Sequence, residues 1–218
     1  MIVKRFFHRV AARVAGRACP RQTLAPARYS LRAMTSDAFD APPMRTLAAS
    51  GLTLVPQTAE HADAMFALLA DAEVYAYLEG DPPTSPEVLR VYFTRLESRR
   101  SGDGTEQWLN WVVRLDNGDI AGHLQATVCA GGVAWVAYVL GRAYWGRGIA
   151  ERATRAMLDE LATAYGVTHF LATADRDNRR SLGLLERLGF ALAPAHVRGE
   201  HDVAEHDVSM QFRLDDRR

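Results

Sequence analysis

The segment Val133 to Leu140, VAWVAYVL, is apolar on both faces, and four residues after it the chain reads Trp145-Gly146-Arg147-Gly148-Ile149-Ala150. A strand with no polar face belongs in the middle of a sheet covered on both sides. The residues that follow carry an apolar stripe at helical spacing, Ile149, Ala153, Met157, Leu161 and Ala164, so a glycine-rich turn joins a central strand to an amphipathic helix. Two close glycines at that junction leave backbone N–H groups exposed at a helix N-terminus, where they can hold phosphate oxygens. The turn therefore points to a phosphorylated cofactor.

Two familiar phosphate loops do not fit. A Walker-type loop ends in Gly-Lys-Ser/Thr, whereas Gly148 is followed by Ile149 and Ala150. A dinucleotide fingerprint needs a small residue where this chain has Glu151, whose carboxylate would be pushed toward the pyrophosphate.

The order that does fit is strand, glycine turn, helix, strand, then Asn178-Arg179-Arg180-Ser181 opening a helix that ends in Leu188-Gly189-Phe190. Together, YVLGRAYWGRGIAERATRAML and DNRRSLGLLERLGF resemble the GNAT superfamily of acetyl-CoA-dependent N-acetyltransferases, and within it the branch of ribosomal-protein alanine N-acetyltransferases. The superfamily pattern is Gln/Arg-x-x-Gly-x-Gly/Ala, and Trp145 stands in the Gln/Arg place, which removes one side-chain ligand and leaves the cradle mostly to backbone amides. The likeness runs from about Gly51 to Leu214 and is strongest over 138 to 190.

Composition agrees with one compact domain. The chain has 218 residues, 48% hydrophobic and 24% charged, enough for a single good core. Its zero net charge conceals an uneven distribution. Residues 1 to 36 hold eight cations (Lys4, Arg5, Arg9, Arg13, Arg17, Arg21, Arg28 and Arg32) and no acid, leaving 18 cations against 26 acids in the rest. An acidic body argues against nucleic acid as a partner and suits an amine substrate. Cys19 and Cys129 give no disulfide framework, and a cytoplasmic location is the expectation. No apolar run approaches the roughly 20 residues of a membrane-spanning helix.

Residues 1–45 are expected to form a basic extension, disordered or absent from the mature protein, and 51–215 the N-acetyltransferase domain. Three readings of the extension stay open. It has the Arg-rich, acid-poor character of a transit peptide and also that of a membrane-surface amphipathic helix, or translation begins at Met34 or Met44.

From Gly51 the pattern alternates as a mixed α/β domain does. Leu52, Leu54 and Pro56 make a strand, Thr58 caps a helix with the stripe Ala62, Met65, Phe66 and Leu69, and Ser85-Pro86-Glu87 starts another. Leu109 to Leu115 and Ile120 to Val128 alternate around the turn Asp116-Asn117-Gly118-Asp119. His169 to Thr173 is a strand, 178 to 188 a helix and 206 to 214 a last strand. The resemblance implies a mostly antiparallel sheet of about six to seven strands, splayed between its fourth and fifth, with about four helices.

The same resemblance implies roles. The amides of Gly146, Gly148, Ile149 and Ala150 would bind the pyrophosphate, with Arg147 nearby. The pantetheine arm would pair with the open edge at Tyr138, Val139 and Leu140, a backbone N–H polarising the acetyl carbonyl, and Asn178 would hydrogen-bond the arm or simply cap its helix. Ser181, three residues on, matches the position that protonates the leaving thiolate. Glu200 is the choice of base for the incoming amine, whose pKa of roughly 7.7 to 8 makes only modest demands. Asn110 and His123 are further candidates for the acceptor cleft. His196, His201 and His206, spaced by five and five, fit no short metal motif, so no metal is expected. The acceptor implied is a protein N-terminal amine, with a small-molecule amine or a non-catalytic acyl-CoA-binding module as the other readings; oligomeric state is not legible.

Overall fold

The computed structural model describes residues 42–78, 80–194 and 206–217. The elements run β1 (Leu47–Ala49), β2 (Leu52–Pro56), α1 (Ala62–Leu69), α2 (Pro86–Leu96), β3 (Gln107–Leu115), β4 (Ile120–Cys129), β5 (Val133–Leu140), α3 (Ile149–Tyr165), β6 (His169–Asp175), α4 (Arg179–Arg187), β7 (Ala191–Leu192) and β8 (Asp207–Arg213). One eight-stranded sheet results, ordered β1-β2-β3-β4-β5-β6-β8-β7. It has one or two strands more than expected. The additions, β1 and β7, are three and two residues long, too short to show any period.

Local chemistry accounts for the helix starts. Ser85 Oγ accepts the Val88 N–H at 3.3 Å with Pro86 in the first turn, and Thr58 caps a short 3-10 turn that leads into α1. α3 begins after Gly148 and ends at Gly166, both with positive φ, a conformation open to glycine at little cost.

Two apolar clusters cover the sheet. On one face α3 and α4 bring Ile149, Met157, Leu161, Leu184 and Leu185 against Leu124, Tyr138 and Phe170. On the other, α1 and α2 bring Met65, Leu69, Leu89 and Phe93 against Trp108, Val112 and Val139. That double cover explains why VAWVAYVL has no polar face. The segment before β1 is strapped to α3: Arg45 Nε donates to Glu160 Oε1 at 2.9 Å, Tyr165 Oη donates to the Pro42 carbonyl at 3.3 Å, and Trp111 Nε1 donates to the Arg45 carbonyl at 3.1 Å. No described helix is long and apolar enough to cross a membrane.

Every strand pair is antiparallel except β5 with β6, whose parallel register covers only Val133–Trp135 against His169–Leu171. Beyond Trp135 the two strands part. β5 keeps its other neighbour throughout, from Cys129↔Val133 to Gly122↔Leu140, so the sheet opens along one side of a central strand.

Gly122 is what allows β4 and β5 to stay in register up to that opening. A Cβ there would run into the Val139 carbonyl oxygen, with Leu140 Cδ2 at 2.7 Å and Leu140 Cα at 2.8 Å. Since the nearest obstruction is backbone, Gly122→Ala is expected to destabilise the fold by roughly 3 kcal/mol. Urea denaturation read by tryptophan fluorescence checks this, and an unchanged midpoint would refute it.

Candidate active site

The open edge of β5 supplies the first part of the site. The Gly141 N–H donates to the Ala121 carbonyl at 3.0 Å, and antiparallel pairs alternate in direction. Val139 and Ala137 therefore turn their peptide groups toward β4, whereas those of Tyr138 and Leu140, beyond the last residue pair with β6, face the gap. Of the three residues named for the arm, Tyr138 and Leu140 present backbone to the cleft and Val139 presents it to β4. The Leu140 carbonyl is engaged by Trp145 Nε1 at 2.8 Å.

The glycine turn supplies the second part. Gly146 and Gly148 have φ of 72° and 69°, and Gly148 is the N-cap of α3 without any side chain to satisfy the helix's first donors. Among the described residues, no protein acceptor is found for the N–H groups of residues 146 to 151. Unsatisfied amides at the start of a helix, where its dipole is positive, suit an anion. A Cβ on Gly146 would meet open space, while one on Gly148 would stand 3.0 Å from Arg152 Nη1. Arg152 itself braces the turn, donating to the Ser50 carbonyl at 2.8 Å and the Arg147 carbonyl at 3.3 Å. Glu151, whose carboxylate would repel phosphate, is drawn away by Arg187 at 3.0 Å and Arg155 at 3.5 Å. The Arg187 hydrogen bond holds its carboxyl below the usual range. Arg147 lies over the Tyr144 ring at 5.9 Å.

α4 closes the far side of the gap. Asn178 is its N-cap, with Oδ1 accepting the Ser181 N–H at 3.2 Å. Tyr138 Oη reaches across to donate to the Ser181 carbonyl at 3.3 Å, and burial pushes the phenol pKa up, keeping it protonated. Ser181 is fully buried in the first turn of α4. The structure thus brings together Tyr138, Leu140, Gly146, Gly148, Ile149, Ala150, Asn178 and Ser181. Glu200, His196 and His201 lie outside the described residues. A cleft lined by Leu140, Tyr144, Gly146, Gly148, Ile149, Ala150, Glu151, Leu184 and Arg187 runs along the turn. A second, sharing Gly146 and Arg187 with it, is lined by Arg142, Trp145, Arg179, Arg180 and Gly183. The arginines of α4 escaped sequence reasoning; the run Asn178-Arg179-Arg180-Ser181 was the available signal, read only for its ends.

A buried polar patch lies on the α1/α2 face, beside the gap. Asn110 on β3 is directly opposite Gln125 on β4, His123 Nδ1 is 3.3 Å from Gln57 Oε1, and the Gln57 N–H donates to the Asn110 carbonyl at 2.9 Å. Neither side-chain atom of Asn110 has a protein partner, nor do Gln57 Nε2 and Gln125 Nε2. His123 and Gln125 pair with Val139 and Ala137 of β5, one strand from the open edge. Among the described residues no group of three or more His, Cys, Asp or Glu is placed to hold a metal.

Residues 51–191 match the model of the acetyltransferase (GNAT) domain, and the chain belongs to that family. It is 27% identical over 149 residues to an uncharacterized N-acetyltransferase p20 of Bacillus licheniformis, covering 67% of this chain and 83% of the relative. Among solved structures, the fold is shared with a RimL ribosomal L7/L12 alpha-N-protein acetyltransferase in complex with coenzyme A (20% identity, TM-score 0.65, 78% of this chain and 99% of the other). It is likewise shared with the ribosomal-protein-S5-alanine acetyltransferase of Vibrio fischeri (19%, 0.64, 80% and 100%) and with Mycobacterium smegmatis RimJ in complex with a CoA disulfide (22%, 0.63, 79% and 88%).

Burial lowers the His123 pKa from 6.5 to about 4. Below pH 6.5 the unfolded chain takes up a proton that the folded chain refuses, so this contribution to stability is complete above 6.5 and is lost as pH falls toward 4. At 1.36 kcal/mol per unit the loss amounts to about 3 kcal/mol. Urea melts between pH 7 and 4.5 should show that slope, and His123→Gln should flatten it; an equal slope in both proteins would contradict the assignment.

Proposed function

We propose that this GNAT-family enzyme transfers the acetyl group of acetyl-CoA to a primary amine by direct attack within a ternary complex, with a protein N-terminal amine as the acceptor. The observation that carries the reading is the row of acceptor-free amides at residues 146–151, placed beside a strand edge that has no sheet partner. The first suits a pyrophosphate, the second an extended amide-bearing arm that adds to the sheet like a strand. A thioester supplies an activated acyl carbon.

In this reading Gly146, Gly148, Ile149 and Ala150 hold the pyrophosphate through backbone N–H groups, with Arg147 contributing charge at the rim. Tyr138 and Leu140 offer peptide groups to the arm, a backbone N–H on this edge donates to the developing oxyanion, and Asn178 meets the arm from α4. The neutral amine nitrogen attacks the thioester carbonyl carbon, the new C–N bond forms, and the C–S bond breaks with its electron pair going to sulfur. The amine gives up one proton to a base, for which Glu200 is our candidate. The Ser181 hydroxyl donates a hydrogen bond to the departing thiolate or passes its proton to it, in which case it regains one from solvent. The products are the N-acetyl amine and CoA.

The transferase domain is taken as residues 51–215 together with β1 and the strap at Pro42 and Arg45 that pack on it, with the segment upstream an extension, and the location as cytoplasmic. The acidic charge of the body favours a cationic acceptor. The RimL, RimJ and S5-alanine acetyltransferase likenesses support a protein acceptor.

Calorimetric titration with acetyl-CoA, and separately with NAD and ATP, tests the cofactor. Selective binding of acetyl-CoA is expected, and its absence would overturn the reading. Gly148→Val puts a β-branched residue at positive φ against Arg152 and should weaken acetyl-CoA binding about tenfold or more. Ser181→Ala should lower kcat by about a hundredfold while acetyl-CoA affinity stays within about twofold; unchanged turnover would remove Ser181 from the mechanism.

A further inference from the structure

The sheet face beneath α1 and α2 is apolar at Trp108, Val112 and Val139, yet three carboxamides stand among these residues. Asn110 shares the face of Trp108 and Val112 on β3 and lies directly opposite Gln125 on β4, which is itself opposite Ala137 on β5. Gln57 joins them through its contact with His123. All four polar side chains are buried, Asn110 and His123 completely. Gln57 Nε2, Asn110 Nδ2, Asn110 Oδ1 and Gln125 Nε2 nevertheless have no hydrogen-bond partner in the protein. Buried polar atoms left unmet oppose folding. A leucine at 110 or 125 would leave none, so the amides are suited to a group that the folded protein receives.

Three of the unmet atoms donate and one accepts. A hydroxyl accepts two hydrogen bonds and gives one, which uses both kinds. A carboxylate gives none, and it would enter a patch whose side chains offer no cation. Arg99 reaches only the Gln57 carbonyl, at 2.7 Å, and burial keeps His123 neutral at pH 7. A carboxamide brings two N–H donors to a single acceptor, and a methyl group satisfies nothing.

We propose that Gln57, Asn110 and Gln125 select the acceptor by its first side chain, binding the hydroxyl of an N-terminal serine or threonine. This rests on the protein N-terminal acceptor proposed above. Neighbouring strands lie about 5 Å apart and one residue spans roughly 3.5 Å. A side chain on the residue whose amine attacks at the β5 edge therefore meets Gln125, one strand away, before Asn110. Buried groups that hydrogen-bond a substrate hydroxyl reject the analogue lacking it sharply, because they are then left unpaired. The patch thereby separates serine from alanine, which differ by one oxygen atom.

The test assays the full-length protein with acetyl-CoA and peptides identical except for a first residue of Ser, Thr, Ala, Val or Asp. The readout is kcat/KM, in the wild type and in Asn110→Leu and Gln125→Leu. The wild type should favour Ser or Thr over Ala by about a hundredfold, with Val and Asp no better than Ala. In each variant the ratio of Ser to Ala should fall about tenfold or more. Because leucine removes unmet atoms, neither variant should melt below the wild type; a marked loss of stability in both would mean that the fold itself satisfies the amides, and would overturn the proposal. Equal kcat/KM for the Ser and Ala peptides in the wild type, a comparison that needs no variant to fold, would overturn it while leaving a protein acceptor standing. A preference that survives both substitutions would overturn the assignment to these residues. Acetylation of small-molecule amines but of no peptide would overturn the protein-acceptor reading, and this proposal with it.

Discussion

Three parallel residue pairs join β5 to β6, and the use of this fold depends on the pairing stopping there. A strand in the middle of a sheet normally has both rows of peptide groups bonded, because unpaired N–H and C=O groups inside a protein are costly. Here Tyr138 and Leu140 turn one row into a gap flanked by apolar cover on both faces. The protein satisfies part of that row itself, with the Trp145 indole on the Leu140 carbonyl, and spans the gap with the Tyr138 hydroxyl on α4. The remainder is a short edge with strand geometry, sheltered from the edge-to-edge pairing that an outer strand invites.

The turn after β5 relies on the same economy of side chains. Gly148 caps α3 with nothing but backbone, which a serine or aspartate would have done more strongly at the expense of the free amides. Glu151 in the first helical turn would ordinarily favour the helix and oppose an anion. Its capture by Arg187 resolves that conflict and joins α3 to α4 across the mouth of the gap. Charge is thus sorted locally within a body that is acidic as a whole.

Much of this was legible in the chain. A two-faced apolar run, two glycines and a helical stripe specify β5, the turn and α3 with little ambiguity, and Ser85-Pro86 and Asn178 announce their helices. The parting of β5 from β6 is invisible locally, because Val136 to Leu140 look the same whether or not a neighbour is bonded; only the likeness to a family implied it. β1 and β7 are held by their partners rather than by any pattern of their own. Arg180 over Trp145 joins residues 35 positions apart and needed the packing of α4 to appear. Of the polar patch, Asn110 and His123 were named singly from the sequence, whereas Gln57 and Gln125 and the convergence of all four depend on strand register.

The strap formed by Pro42, Arg45 and Trp111 has a practical consequence. It holds the chain at the C-terminal half of α3, through Glu160 and Tyr165, whereas the glycine turn stands at the helix's first residue. At 1.5 Å per residue the 16 steps from Ile149 to Tyr165 separate these ends by about 24 Å. The described chain therefore enters the domain at the end of α3 remote from the glycine turn, and a fusion partner or surface tether joined upstream would be attached at a distance from the mouth of the site.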